Sequence, residues 1–442
     1  MGRYDNKIKA ISASLALLFA AGTSVGCNLL HPGDTSPSNT VLASEPVPSD
    51  TSVVQPSSEG PSETALSRET AVSILLGQFL SELSGDTVDP EACYEDACLI
   101  ASGAGTVNGY IEDYISSPEF TSLNIDDDLF IRKCFLTFRG IPAGDHTVRF
   151  LIGMMNDGMP RNKIADLIMQ NEYFAETCSA YGVLPAFEAD RHMEIEEWYD
   201  TINAIGDTTE PMTIGGVIPS EATLEMLFTA MDTLTEANRD FGFMLLDINT
   251  GEGIVYNIDQ EFYTASSIKG PFAASFASND PEGAASWEST ITNMLVNSDN
   301  DAYTVLNNQY RRTYIQEWCE EIGIDPEPFR YKYPHVSTRM MTALWMRTYQ
   351  FFETEEFGPT AGAWFEEPVY SLIHSELGDQ YVTRSKAGWL VDEDPSHTTT
   401  VDGGVVYAYN GPYVVVIMSK VPRDIEPLRP LLRALEAFHF AL

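Results

Sequence analysis

The sequence predicts a mixed α/β chain in which a small all-α repeat domain precedes a domain built on an antiparallel sheet flanked by helices. Two observations lead to this prediction. The first half aligns with itself at an offset of 54 residues, and its apolar residues recur at helical spacing. The second half alternates helical segments with short apolar runs bounded by turn residues, which is typical of strands and hairpins.

The charge balance excludes nucleic acid as a partner. The 442 residues include 25 Lys and Arg against 65 Asp and Glu, a formal charge of −40, and 44% of them are apolar. That apolar content is typical of a globular protein, whereas a uniformly anionic surface repels phosphate backbones. At about 100–200 residues per domain, the length predicts two or three domains.

Residues 1–27 are predicted to be a signal peptide. Arg3, Lys7 and Lys9 precede an apolar run that is too short to span a bilayer. The run ends at Ser24-Val25-Gly26-Cys27, which resembles a bacterial lipobox and implies lipidation of Cys27. We therefore expect an exported lipoprotein anchored to the outer face of the cell membrane. The alternative is ordinary secretion with Cys27 as a free thiol.

Residues 28–65 are rich in Ser, Thr, Pro and Glu and are predicted to be a disordered linker. The repeat domain follows at 66–185, and its offset aligns Ser117-Pro118-Glu119-Phe120 with Asn171-Glu172-Tyr173-Phe174. Each copy is predicted to contain three helices. On these motifs the region resembles a helical domain of unknown function found in bacterial surface proteins, and its role as a binding module or a spacer stays open.

Four cysteines lie in the repeat domain: Cys93, Cys98, Cys134 and Cys178. They could form two disulfides outside the cell or remain buried thiols in a helical core, and both interpretations stay open. Their spacing lacks paired C-x-x-C units, so no metal site is predicted.

After a connecting segment (186–220), the second domain occupies 221–442, and its elements can be assigned in order. The predicted elements are a helix (221–238), a strand (241–247) and its hairpin partner (253–256), a strand-like segment (381–390), two further strands (399–409 and 413–421), and a closing amphipathic helix (425–440).

Ser266 and Lys269 form the first chemical motif. Their S-x-x-K spacing on a helix places the amine on the same face as the hydroxyl, one turn away. A serine hydroxyl is a weak nucleophile until a base removes its proton, and a partly buried lysine can act as that base once its pKa is lowered. A position at a helix start also directs backbone N–H groups at an oxyanion.

Two further motifs follow in order, Ser298-Asp299-Asn300 and Lys386-Ala387-Gly388. Together with the S-x-x-K helix and the order of the strands, they resemble the active-site serine β-lactamase and penicillin-binding protein superfamily, class A-like in layout, over about residues 221–442. The resemblance implies a serine hydrolase with a β-lactamase-like fold. Neither a metal site nor a nucleotide-binding loop is apparent in the sequence, so no cofactor is expected.

The resemblance also implies four catalytic residues. Ser266 is the nucleophile and Lys269 its base, while Ser298 relays a proton to the leaving nitrogen. Lys386 supplies positive charge near Ser298 and for a substrate carboxylate.

Three residues are implied to bind the substrate. Asn300 hydrogen-bonds a substrate amide, Gly388 belongs to the K-x-G strand, and the backbone N–H of Trp389 forms an oxyanion hole with that of Ser266. Arg384 either adds to the positive charge that attracts a carboxylate or is a simple surface charge, and both interpretations stay open.

The chain departs from the family at three points. Only 32 residues separate Ser266 from Ser298, and Ala387 replaces the usual hydroxyl residue of the K-T-G motif. The E-x-x-L-N motif, whose Glu activates the hydrolytic water in class A enzymes, is not found between 301 and 386. Glu327 and His335 are the candidates to replace that base.

Without a positioned base, we expect acylation by β-lactams or D-Ala-D-Ala-like cell-wall peptides with slow deacylation. The alternatives are an efficient class A-like β-lactamase and a non-catalytic surface protein that binds cell-wall material. The sequence does not determine the oligomeric state.

Overall fold

The computed structural model describes residues 66–186, 193–206 and 208–442, which belong to one compact unit. The predicted signal peptide, Cys27 and the linker 28–65 lie outside the described residues. Within the described ranges, no helix is long and apolar enough to cross a membrane. The domain boundaries at 185 and 221 stay predictions.

The two copies of the repeat contain four α-helices each, one more than the sequence predicts. They are α1 (Arg68–Ser84), α2 (Tyr94–Ala101), α3 (Val107–Ser116) and α4 (Pro118–Ser122), then α5 (Asp127–Arg139), α6 (Asp145–Asn156), α7 (Arg161–Met169) and α8 (Glu172–Ala180). The last helix of each copy begins at equivalent residues. Ser117 accepts a hydrogen bond from the N–H of Phe120 (3.2 Å), and Asn171 accepts one from that of Phe174 (3.0 Å). Such caps satisfy N–H groups that a helix start leaves unpaired.

The cysteines of the repeat are free thiols, so the disulfide interpretation is wrong. Cys93, Cys134 and Cys178 are buried, and Cys98 is partly exposed. Burial raises the pKa of the Cys178 thiol to about 12 and raises that of Cys134 as well. These thiols therefore stay protonated and pack as small apolar groups.

The second half is organised around a seven-stranded antiparallel sheet and a two-stranded ribbon. The strands are β1 (Met212–Ile214), β2 (Phe241–Asp247), β3 (Gly253–Tyr256), β4 (Glu261–Tyr263), β5 (His335–Ser337), β6 (Val382–Ser385), β7 (Gly388–Leu390), β8 (Thr399–Ala408) and β9 (Gly411–Ser419). The sheet has the order β1-β3-β2-β9-β8-β6, with β7 also pairing with β8, while β4 and β5 form the ribbon. The predicted hairpin matches β2 and β3 at every boundary. The edge strand β1 belongs to the segment predicted as a connection.

Helices cover both faces of the sheet. The helices of this half are α9 (Ile195–Ala204), α10 (Glu221–Glu236), α11 (Lys269–Asn279), α12 (Pro281–Ser286), α13 (Glu288–Val296), α14 (Asn300–Tyr310), α15 (Thr313–Glu321), α16 (Thr338–Thr354), α17 (Gly358–Gly362), α18 (Leu372–Leu377) and α19 (Arg429–Phe440). Phe243 and Leu245 of β2 belong to one core with α10, α19 and the repeat, whereas Met244 and Leu246 belong to a second core with α11 and α16. Because side chains alternate along a strand, β2 is buried along its whole length.

The repeat docks onto α10 through the start of α6. The Glu221 carboxylate accepts hydrogen bonds from the backbone N–H groups of His146 (3.0 Å) and Thr147 (2.9 Å). Burial opposes ionisation of Glu221, but these bonds outweigh burial and lower its pKa to about 2. Further along α6, Arg149 pairs with Asp232 at 2.7 Å. Buried apolar residues of the repeat and of α10 also belong to one hydrophobic core.

Candidate active site

The nucleophile motif lies where the two-stranded ribbon meets the helical core. After β4, a 3-10 turn (Ala265–Ile268) leads directly into α11. Ala265 has a left-handed backbone with φ of 45°, a strained conformation for a residue with a Cβ. Ser266 is partly exposed, and Lys269 is completely buried. The structure therefore places Ser266 in the turn and Lys269 at the first position of α11, three residues apart at a helix start.

Three oxygen atoms surround the Lys269 amine. Its Nζ donates to the carbonyl oxygen of Ser298 (2.7 Å), to Oδ1 of Asn300 (2.8 Å) and, at longer range, to the carbonyl oxygen of Asp299 (3.4 Å). A neutral amine has two donors and one lone pair. It can therefore keep the two shorter bonds while the lone pair accepts a proton.

Burial lowers the pKa of Lys269 to about 7, and the positive charges of Lys386 and Lys332 act in the same direction. A substantial fraction of the amine is therefore neutral near pH 7, which is the form that can act as a base.

The Ser298 motif depends on a helix cap. Asp299 accepts a hydrogen bond from the N–H of Ala302 (2.7 Å) and begins α14, as expected of an aspartate at this position. Ser298 precedes the cap with a left-handed backbone, φ 56°. In this conformation its carbonyl oxygen contacts Lys269 and its hydroxyl contacts Lys386.

Lys386 lies at an interruption of the edge strand. The sequence predicts one strand over 381–390, but β6 and β7 pair separately with β8 and leave Lys386 and Ala387 between them. Lys386 Nζ donates to Ser298 Oγ (3.1 Å) and to the carbonyl oxygen of Ala387 (2.8 Å). The strand-like segment is therefore two short strands, and the Ala387 carbonyl between them supplies one of the acceptors that a buried ammonium needs. Burial lowers the pKa of Lys386 to about 8, against the opposing effect of Asp402.

Gly388 brings strand β7 against the nucleophile turn. A Cβ at this position would lie 2.6 Å from the backbone nitrogen of Ser266 and 2.3 Å from the carbonyl oxygen of Thr264. Only glycine allows this approach of two backbones. Trp389, the next residue, packs edge-on against Tyr370 with ring centroids 4.8 Å apart. The backbone of Trp389 thus lies one residue from the contact with Ser266.

Arg384 does not join this cluster. Its guanidinium pairs with Glu366 at 3.1 Å, donates to the Tyr407 hydroxyl at 2.9 Å and lies over the Phe352 ring. The interpretation that Arg384 attracts a substrate carboxylate is wrong, because its charge is already neutralised by protein partners.

The two candidate bases for deacylation are both occupied elsewhere. Glu327 is 60% exposed and pairs with Arg330. His335 belongs to β5, and its Nε2 donates to the carbonyl oxygen of Ser396 (3.1 Å). Among the described residues, neither side chain hydrogen-bonds to a residue of the three motifs.

Sequence reasoning missed Tyr333, whose hydroxyl donates to Oδ1 of Asn300 (3.2 Å). It also missed Asp402, a buried carboxylate behind Lys386 whose pKa burial raises to about 6. An aromatic-rich stretch, Tyr331 to Tyr333, in the segment that replaces the E-x-x-L-N loop could have indicated the first. Within the described ranges, no group of three or more His, Cys, Asp or Glu side chains could hold a metal ion.

The geometry agrees with the comparison to known families. A family model described as the Beta-lactamase enzyme family matches residues 226–292 and 277–435. The C-terminal region of the chain is therefore similar to this β-lactamase family over residues 226–435. Its β-lactamase-like fold is the expected one, an antiparallel sheet flanked by helices.

Solved structures similar to the chain include three β-lactamases. The enzyme from Chitinophaga pinensis is 14% identical, with a TM-score of 0.41 over 49% of this chain and 99% of the other. The enzyme from Streptomyces albus G is 15% identical, with a TM-score of 0.38 over 48% and 98%. An ancestral class A β-lactamase is 14% identical, with a TM-score of 0.39 over 49% and 100%. No curated protein sequence matches the chain.

Proposed function

We propose that the chain is an active-site serine hydrolase that forms an acyl-enzyme at Ser266 with β-lactams or D-Ala-D-Ala-like peptides. The observation that supports this most directly is Lys269, a fully buried lysine with a pKa of about 7, one turn from a partly exposed serine. Burial opposes the charged form of this lysine, and groups whose pKa is strongly perturbed in this way are frequent at functional sites.

In the proposed reaction, neutral Lys269 removes the Ser266 hydroxyl proton while Oγ bonds to the carbonyl carbon of the substrate. The backbone N–H groups of Ser266 and Trp389 stabilise the oxyanion. The C–N bond then breaks, and Ser298 relays to the leaving nitrogen the proton that Lys269 removed from Ser266. Lys386, which lies 3.1 Å from Ser298 Oγ, supplies positive charge for that transfer and for a substrate carboxylate.

We propose that deacylation is slow. Hydrolysis of the ester requires a base that activates water, and in class A enzymes a glutamate has this role. Glu327 and His335, the candidates in the corresponding segment, are both engaged with other partners. The side chain of that segment that contacts the motifs is the phenol of Tyr333, which is a donor at neutral pH.

We further propose that the enzyme acts outside the cytoplasm, anchored through a lipid on Cys27. This rests on the signal-like segment 1–27 and the lipobox-like motif at its end. The linker 28–65 would hold the folded unit away from the membrane surface. Incorporation of a labelled fatty acid into the wild-type chain and its loss in Cys27→Ala would test the anchor.

The deciding experiment is to incubate the full chain with a fluorescent penicillin and follow its intact mass. A persistent adduct that is lost in Ser266→Ala supports acylation with slow turnover. A transient adduct with consumption of penicillin points to the alternative, an efficient β-lactamase. Absence of an adduct contradicts the proposal and favours a non-catalytic cell-wall-binding protein.

A further inference from the structure

Tyr333 is presented at the site by a short strap, residues 332–334. At one end, the carbonyl oxygen of Lys332 accepts a hydrogen bond from the Tyr303 hydroxyl (2.9 Å). At the other end, the carbonyl oxygen of Pro334 accepts bonds from the N–H and the hydroxyl of Thr264, both 3.0 Å. Tyr303 and Thr264 are completely buried. The strap therefore joins the helix of the Ser298 motif to the turn of the nucleophile through two core anchors.

The Tyr333 ring is also held from its sides. Its centroid lies 5.5 Å from that of Tyr303 and 6.3 Å from that of Tyr263. The Lys332 ammonium lies 5.3 Å from the same centroid. Burial raises the pKa of the Tyr333 hydroxyl to about 12, so the phenol donates a hydrogen bond across the physiological range.

The Tyr333 hydroxyl completes the hydrogen bonding of one atom in the site. Oδ1 of Asn300 accepts from Lys269 Nζ (2.8 Å) and from the Tyr333 hydroxyl (3.2 Å). An amide oxygen has two lone pairs, so these two donors saturate it. Turning the carboxamide over would lose both of these bonds and place its NH₂ group against Lys269 Nζ and the Tyr333 hydroxyl. Asn300 is exposed, and its Nδ2 has no hydrogen-bond partner among the described residues, so it is free to donate to a ligand.

We propose that Tyr333 is a positioning residue that makes the site selective for substrates carrying a carbonyl oxygen beside the scissile amide. The inference rests on the proposed function and deepens it. With its oxygen held from two sides, Asn300 presents only N–H donors to the substrate. An acylamino substrate offers the matching carbonyl acceptor, whereas a substrate with a free amine at that position lacks this carbonyl oxygen.

The test compares acylation of the wild-type chain and Tyr333→Phe by two probes. Benzylpenicillin carries the side-chain amide, and 6-aminopenicillanic acid has a free amine in its place. The second-order rate constant of acylation, from intact mass, should fall about 3- to 10-fold for benzylpenicillin, the equivalent of one hydrogen bond. It should change less than about 2-fold for 6-aminopenicillanic acid, because that probe does not use the Asn300 donor.

Two variants separate positioning from a general effect on the loop. Tyr331→Phe removes a phenol hydroxyl from the same segment, one that contacts Arg330 and not Asn300, and both probes should then react as with wild type. In the Asn300→Ala background, Tyr333→Phe should have no further effect on benzylpenicillin, because the partner it positions is gone.

The outcomes are distinguishable. Equal slowing of both probes by Tyr333→Phe, or no slowing of either, overturns the positioning role while leaving acylation at Ser266 intact. Absence of any adduct on the wild-type chain overturns the proposed function, and this inference with it.

Discussion

The pKa of Lys269 links activity to stability, and the substitution Lys269→Met tests both. The unfolded chain holds the lysine proton up to a pKa of 10.5, whereas the folded chain releases it near 7. Between these values the unfolded state binds one more proton, so the free energy of unfolding of the wild type rises with pH, by about 1.4 kcal/mol per pH unit. Methionine has a similar length and does not titrate.

The stability difference between wild type and Lys269→Met should therefore change by roughly 2–3 kcal/mol between pH 7.5 and 9.5 in favour of the wild type. Lys386 titrates in both proteins, so its own contribution largely cancels. Denaturant unfolding of the full chain, followed by tryptophan fluorescence at several pH values, measures this change. Ser266→Ala is the matched control, because it keeps the lysine and should follow the wild type at every pH.

The same substitution should slow acylation by about 10²- to 10⁴-fold, the range for loss of a general base. In the wild type, the rate of adduct formation should rise with pH through a midpoint of about 7. Parallel stability curves for wild type and Lys269→Met would refute the lowered pKa. An acylation rate that rises steadily to pH 10 would refute the role of Lys269 as the base.

Three further outcomes follow from the geometry. Gly388→Ala should abolish adduct formation, because the new Cβ would lie 2.6 Å from the backbone nitrogen of Ser266. Normal labelling of a folded Gly388→Ala chain would contradict the close approach of β7 to the nucleophile turn. The acylation rate of the wild type should fall again above a pH of about 8, as Lys386 loses its proton. Lys386→Met should react slowly and should not show this fall at high pH. If Lys386→Met still shows the fall, another group causes it. A double-mutant cycle of Arg149→Met and Asp232→Asn should give a coupling energy of about 0.5–1 kcal/mol in the free energy of unfolding. Penicillin labelling of Ser266 should not change in these variants. Altered labelling would mean that the contact between the repeat and α10 affects the active site.

Elements with strong local signals could be predicted from sequence. The hairpin β2–β3 matches its predicted boundaries, because an apolar run, a turn and a second run leave one register. The repeat was visible in the aligned caps Ser117 and Asn171, which satisfy N–H groups within three residues of themselves. The predicted number of helices in each copy, three, was wrong, because short helices depend on tertiary packing more than on local propensity.

Some residues of the site could be predicted from sequence motifs, whereas the role of others depends on their contacts in the folded chain. The order and spacing of the three motifs identify five candidate residues from the sequence alone: Ser266, Lys269, Ser298, Asn300 and Lys386. Arg384 looked equivalent to the lysines as a charge, and only its contact with Glu366 distinguishes it.

The sequence by itself determined which side chains have the right chemistry, because residue identity and local spacing are properties of the chain. The tertiary structure alone decided their state and their partners. The lowered pKa of Lys269 comes from burial and from charges far away in sequence, and Tyr333 reaches Asn300 across 33 residues through a strap anchored in the core. Desolvation and long-range hydrogen bonds exist only once distant segments have packed together, so no local pattern records them.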